Sequence, residues 1–204
     1  MKHFKYLGIN IDDSCKFNTH IDILKGRLSS LRGMTYRLRN HLDLRAAKNV
    51  YYSCIYSIIS YGISVWGGAL NCNHRADSLI RLQKHILSNL FSKFYSGNIN
   101  VLAKILRIED VYRMRVAVLM YRVINLNELP SLRNNVILTL ASHDYQTRNA
   151  SNLVLPYPRT EVIRMSYKYQ FVSVWNSIPE SIRLLPSMKL FKKALTDHFL
   201  NMYG

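Results

Sequence analysis

Cysteine is scarce in this chain. Cys15, Cys54 and Cys72 are the only three in 204 residues, and no C-x-x-C pair occurs. That rules out a disulfide framework and points to a reducing, intracellular compartment, cytoplasmic or nuclear. Cys72, His74 and His85 are suitable zinc donors, but a structural zinc site wants four ligands at short recurrent spacings, so no metal site is expected. Acidic residues are also few, 12 Asp and Glu in all. Asp12-Asp13 is the one adjacency that invites comparison with a two-metal centre. Followed by Ser14, it reads better as a solvated turn. With eight glycines and five prolines, the chain shows no glycine-rich phosphate loop, internal repeat or low-complexity tract. No Ser, His and Asp arrangement has local support, so no catalytic residue is assigned. Long apolar runs are missing too. The beginning has no signal-peptide stretch, and Val50 to Val65 is interrupted by Ser53, Ser57, Ser60 and Gly62 and is too short for a membrane span. Nothing is expected to cross a membrane, and the sequon Asn149-Ala150-Ser151 is then a chance match.

What is present is apolar and basic. Hydrophobic residues make up 49% of the chain, enough to bury a core. Twenty-eight Lys and Arg leave a formal charge of +16, which self-repulsion makes costly unless a polyanion is the partner. Nucleic acid is the first candidate, and an anionic membrane surface the second. A merely soluble basic protein is the bland alternative.

The opening ten residues, Lys5-Tyr6-Leu7-Gly8-Ile9-Asn10 among them, alternate around a glycine and predict a strand. Asn18-Thr19 reads as a helix N-cap. Ile21, Leu24, Leu28, Leu31, Thr35 and Leu38 then repeat at intervals of three and four, the period of an amphipathic helix. Lys25, Arg32 and Arg39 recur every seven residues beside that seam. Such a ridge suits a phosphate backbone, or is simply a solvated flank of a packing face. A second helix is predicted from Asp43 to Tyr61, loosened by Gly62, with Tyr51, Tyr52, Tyr56, Tyr61 and Trp66 mostly core rather than base-stacking platforms. After a loop from Gly67 to Asn73, a third helix starts at Asp77 or Ser78, with Leu79, Leu82, Ile86, Leu87 and Leu90 inside. Arg75, Arg81, Lys84 and Lys93 lie outside. Residues 92–98 suggest a boundary. Beyond them come a short helix at Val101 to Leu106 and a longer one from Asp110 to Asn125 that packs Met114, Val118 and Tyr121. That longer helix places Arg115 and Arg122 on one face. The stretch from Asn127 to Ser151 has no sustained period. Leu153-Val154-Leu155 and Glu161-Val162-Ile163 are candidates for a small hairpin. A helix carrying Tyr167, Phe171, Val174 and Trp175 stops before Pro179, and Ser187 caps a last one with Phe191, Leu195, Phe199 and Met202 inward. The fold class is therefore mainly α, a helical bundle led by one β-strand, with a small β-hairpin in the C-terminal half.

Tyr6-Leu7-Gly8, followed about fifty residues later by Tyr61-Gly62-Ile63-Ser64-Val65-Trp66-Gly67, resembles the end of the reverse transcriptase of non-LTR (LINE-type, jockey-like) retrotransposons. Phe17-Asn18-Thr19-His20-Ile21, Tyr51-Tyr52, Leu82-Gln83-Lys84, Thr147-Arg148, Trp175-Asn176-Ser177-Ile178-Pro179 and Phe191-Lys192 extend the likeness along nearly the whole chain. Phe17 departs from the tryptophan usual there. The resemblance implies that residues 1–93 are the end of the palm and a thumb-like helical region, and residues 94–204 a C-terminal helical extension. It makes Tyr6, Leu7 and Gly8 a primer-side element. In the family the catalytic aspartates and their Mg ions precede this strand, so no cofactor is expected in this chain and polymerisation is not expected of it alone. The implied partners are an RNA–DNA or DNA duplex and the palm and fingers of the full-length polymerase. Lys25, Arg32 and Arg39, with Arg115 and Arg122 as further candidates, are chosen for phosphate contact on physical grounds. A stand-alone helical nucleic-acid- or protein-binding module, or an inactive mobile-element remnant, is the alternative.

Overall fold

Strands come first and are few. A computed structural model describes residues 3–71, 74–134 and 152–204; Cys72, Thr147-Arg148 and Asn149-Ala150-Ser151 lie outside them. The described chain is mainly α-helical and opens on a two-stranded antiparallel sheet. It divides into two compact units, Met1–Tyr112 with His198–Gly204, and Arg113–Asp197. Residues 92–98, suggested above as a boundary, fall within the first unit.

In the first unit, strands β1 (His3–Tyr6) and β2 (Ile9–Asp12) pair with Tyr6 opposite Ile9, leaving Leu7 and Gly8 as a two-residue loop. The single leading strand is thus a hairpin. The reason is backbone conformation: Leu7 has φ 44° and Gly8 φ 80°, the positive angles at both central positions that a type I′ turn requires. Glycine supplies this at Gly8 without strain, whereas Leu7 bears the cost of a side chain in that region. Asp12 is also not the solvated turn residue it resembled. It is buried, and its carboxylate accepts the backbone N–H of Lys16 and of Asn18, both at 2.8 Å, and the Ser14 hydroxyl at 3.3 Å.

Helix α1 (Asn18–Leu38) follows from a Phe17 in left-handed conformation that offers no side-chain cap. Neither Asn18 nor Thr19 caps it; Asp12 reaches across the loop to the Asn18 N–H instead. Phe17 itself is buried, so the aromatic ring packs despite the departure from tryptophan. Ile21, Leu24, Leu28 and Thr35 are buried along one stripe, as their spacing predicted. Helix α2 (Leu44–Val50) starts at Asp43, whose carboxylate accepts the Ala46 N–H at 2.6 Å. It continues through a π-helical stretch, Tyr51–Tyr56, into α3 (Ser57–Ser60). The chain breaks at Gly62, φ 57°, where a Cβ would run into Ile9 Cδ1. It resumes as α4 (Ile63–Trp66) and a 3₁₀ turn, Gly67–Asn71, where the sequence suggested only loop. No single helix among the described residues is long and apolar enough to cross a membrane. Leu44–Ser60 and Ile63–Leu70 together have the composition, but they bend by 48°, and Tyr51, Ile55, Ile59, Ile63 and Trp66 are core residues.

Helix α5 (Ala76–Phe91) packs against α1 and buries Leu79, Leu82, Ile86, Leu87 and Leu90. Gln83 is buried beside them and fully used: its amide donates to the Tyr51 hydroxyl at 3.0 Å and to the Leu106 carbonyl at 2.9 Å, and its oxygen accepts the Ile108 N–H at 2.8 Å. A short α6 (Ile99–Ala103) leads to the start of α7 (Ile108–Asn125). There Tyr112 lies so close over Gly67 that a Cβ at 67 would enter its ring. Tyr203, five positions beyond His198, completes this unit. Asn98 donates to its carbonyl at 2.8 Å, Arg107 stacks 4.2 Å from its ring, and its hydroxyl donates to Asp110.

The second unit takes the rest of α7, α8 (Pro130–Arg133), α9 (Glu161–Met165), α10 (Tyr167–Asn176), α11 (Glu180–Arg183) and α12 (Met188–Asn201) as far as Asp197. Tyr121 and Trp175 flank Phe191 at ring distances of 4.5 and 6.2 Å. Met114 and Val118 are only half-buried, and Val116, Ala117, Met120 and Tyr121 form the buried side of α7. The expected hairpin is absent, because Glu161-Val162-Ile163 is the first turn of α9, capped by Thr160, whose hydroxyl accepts the Ile163 N–H at 3.3 Å. Leu153 pairs instead with the Asn176 side chain, which accepts its N–H at 3.0 Å and donates to its carbonyl at 2.9 Å. This clamp gives Asn176 of the Trp175-Asn176 pair a structural role. In α12, Phe191, Leu195 and Phe199 are buried as expected, but Met202 lies past the helix end and is 63% exposed.

Candidate nucleic-acid interface

Helix α1 carries the ridge. Its buried stripe faces α5, and seven-residue steps leave Lys25, Arg32 and Arg39 on one flank of that stripe, all three exposed. Arg39 sits just past the helix end in helical conformation, with its guanidinium 4.1 Å from the centre of the Tyr36 ring. Asn89 of α5 donates to the Arg32 carbonyl and the Thr35 hydroxyl, both at 3.3 Å, which pins this flank to the α5 surface. Lys93 beyond α5 donates to the Leu42 carbonyl at 2.8 Å. Seven residues of helix rise by about 10 Å. The three cations therefore recur about every 10 Å along one side of the helix.

Arg115 and Arg122 belong to the second unit. Both are exposed, but Arg122 is held by Glu128, with Nε and Nη2 each 2.6 Å from one carboxylate oxygen. That pairing neutralises much of its charge. The structure therefore gives Lys25, Arg32 and Arg39 a common flank and leaves Arg122 with a carboxylate partner.

Tyr6, Leu7 and Gly8 form the hairpin apex and are exposed, Leu7 by 71%. The Phe4 and Tyr6 rings stack 6.4 Å apart on the outer face. Tyr61 Oη donates to the Leu7 carbonyl at 2.5 Å, tying the apex to the end of α3. A Cβ at Gly8 would stand 3.5 Å from the Tyr61 ring, an ordinary contact. The glycine is needed for its positive φ and not for close approach. Of the aromatic set read as core, Tyr51 and Trp66 are buried, whereas Tyr52 and Tyr61 are about half exposed.

Sequence reasoning missed the inner side of this hairpin. His20, Ile23, Leu24 and Arg27 step along the opposite flank of α1 and, with Lys5 and Asn10, line a cavity of about 440 Å³ behind the apex. His20 is buried with its ring edge-on to Trp66, centroids 5.7 Å apart. Burial, and to a lesser degree the Arg27 charge, lower its pKa from 6.5, so the imidazole is neutral at pH 7. The signal was available in the chain as His20 and Arg27 spaced seven apart, but it looked like any pair on a helix face.

Over 74 residues the chain is 35% identical to the probable RNA-directed DNA polymerase from transposon BS of Drosophila melanogaster. The match covers 34% of this chain and 8% of that protein, so the chain corresponds to a small part of its relative's length. It supports a relationship to retrotransposon reverse transcriptases. No family model matches the chain, and no solved structure matches it.

Proposed function

We propose that this chain is the template–primer-binding portion of an RNA-directed DNA polymerase of a non-LTR retrotransposon. In this reading the first unit acts as the thumb-like element, the Tyr6-Leu7-Gly8 apex lies on the primer side, and catalysis resides in palm and fingers outside this chain, with their Mg ions. Asp12 takes no part in it, since both its carboxylate oxygens are engaged by backbone N–H groups. The observation that carries the proposal is the exposed ridge Lys25, Arg32 and Arg39, held along α5 as a line of cations that suits a phosphate backbone. The net charge of +16 extends the attraction beyond the ridge.

Binding of RNA–DNA or DNA duplexes then depends on counterion release and little on sequence. For about four to six phosphate contacts, log K against log salt concentration falls with a slope near −4 to −5. Replacing Lys25, Arg32 and Arg39 together by Gln keeps helix propensity and flattens that slope by about 2 to 3 units. Anisotropy titrations at several salt concentrations measure it. An unchanged slope in the folded triple variant removes the ridge from the interface.

A further inference from the structure

We propose that Tyr36 is a base-stacking residue of the α1 ridge, which makes the ridge a binding site for unpaired strand as well as for duplex. The inference rests on the nucleic-acid reading above and names the form of nucleic acid that the ridge distinguishes. Lys25, Ser29, Arg32, Tyr36 and Arg39 follow one another at steps of four, three, four and three along α1 and just past its end. They therefore share one face of the helix, and all five are exposed. Tyr36 is set between two arginines, one turn before it and one turn after it. Asp22, one step before Lys25 on the same face, is the only acidic residue of α1, and it is held by Arg75 in a salt bridge. The face thus offers cations and an aromatic ring, with its one carboxylate already engaged.

Tyr36 is 55% exposed, and the Arg39 guanidinium lies 4.1 Å from the centre of its ring. A guanidinium held over an aromatic ring keeps its N–H edge open to a phosphate oxygen. A base lying against this pair meets an aromatic surface and a cation together. In a duplex each base face is covered by its neighbours in the stack, and an outside surface reaches only phosphate, sugar and base edges. Tyr36 then adds little. In an unpaired strand the base faces are free, and stacking on an aromatic side chain strengthens binding with little regard to sequence. Electrostatics alone works the other way, because counterion release per contact is greater from a duplex than from a single strand. A contribution confined to single strands therefore reports the ring and not the charge. An acidic peptide satisfies the cations but brings no planar face to Tyr36.

The test titrates the intact chain by fluorescence anisotropy with a labelled single-stranded oligonucleotide, an abasic strand of the same length, a blunt duplex and polyglutamate. The parent is compared with Tyr36→Phe and Tyr36→Leu, changes at an exposed position of which Leu keeps helix propensity, with circular dichroism to verify the fold. Tyr36→Leu is expected to weaken the single strand about fivefold or more, and Tyr36→Phe less than about twofold, since the ring remains. Both variants leave the duplex and the abasic strand within about twofold, and the salt slopes are unchanged because no charge is removed. An equal loss with duplex and single strand means that Tyr36 only positions Arg39, and overturns stacking. A parent that binds the abasic strand or polyglutamate as tightly as the normal strand, or binds no single strand, overturns it too. If the triple Gln variant of the ridge flattens the duplex salt slope while Tyr36→Leu changes nothing, stacking fails and the ridge stands. If Tyr36→Leu acts on the single strand alone while the triple variant keeps the parent's slope, the ridge reading fails and the base contact stands.

Discussion

Single residues carry much of the local order, and two of them carry it through polar groups that look unremarkable in the chain. Asp12 occupies the tight turn into α1 and satisfies backbone donors that the Phe17 position leaves unpaired. Asp12→Ala is therefore expected to lower stability by about 1–3 kcal/mol, and Asp12→Asn by less because one acceptor oxygen remains. Urea denaturation of the two variants measures the difference; an Ala variant as stable as the parent refutes the capping role. His20 sets a pH dependence of known sign. Its folded pKa is depressed, so above about pH 6.5 both folded and unfolded forms are neutral and nothing is lost. As pH falls below 6.5 the unfolded imidazole protonates first and stability declines until the folded pKa is reached. Lys5 of β1 and Arg27 of α1 line the same cavity as cations, with the Tyr61 hydroxyl at its edge, so no nearby carboxylate there offsets the effect. His20→Gln is expected to flatten the acid limb of the stability curve below about pH 6.5, read from thermal melts against the parent chain.

Among the elements, α1 and α5 were plain in the sequence because each repeats its apolar residues at helical spacing over several turns, and the periodic side is the buried side. The elements that escaped are those decided by one or two backbone angles. The hairpin depends on positive φ at Leu7 and Gly8, which alternation of apolar residues does not reveal. Glu161-Val162-Ile163 has β-prone residues, yet Thr160 caps it as a helix, and the Asn176 side chain bonds both backbone groups of Leu153. The break between α3 and α4 tests the same principle. Gly62 has φ 57° and lies against Ile9, which is 8% exposed. Gly62→Ala combines a left-handed alanine with a clash against Ile9, and is expected to cost about 1–3 kcal/mol. Parallel melts of Gly33→Ala provide the control, since Gly33 sits in α1 with open space around it and the change favours helix.

For the molecule as a whole, contacts far apart in the chain complete each unit. Tyr203 joins the first unit through Asn98, Arg107 and Asp110, although 93 to 105 residues separate them. Truncation before Met202 removes these bonds and the ring stacked under Arg107, with an expected loss of about 1–3 kcal/mol, visible as a lower denaturation midpoint. A truncated chain with an unchanged midpoint shows that the tail does not hold this unit. What the sequence determined by itself was whatever depends on composition and short-range periodicity: the mainly helical class, the buried faces of α1 and α5, the basic charge and the exposed cation ridge. Only the tertiary structure decided which polar residues became structural. Asp12 as a cap, Gln83 as a three-way buried link, Asn176 as a clamp and His20 as an unpaired ring in a cationic cavity all depend on partners from other elements. Hydrogen-bond partners and burial are properties of a position in space: Asp12 meets Asn18 only six residues on but in another element, and the partners of Gln83 and Asn176, 23 to 32 residues away, meet them only after the helices have packed.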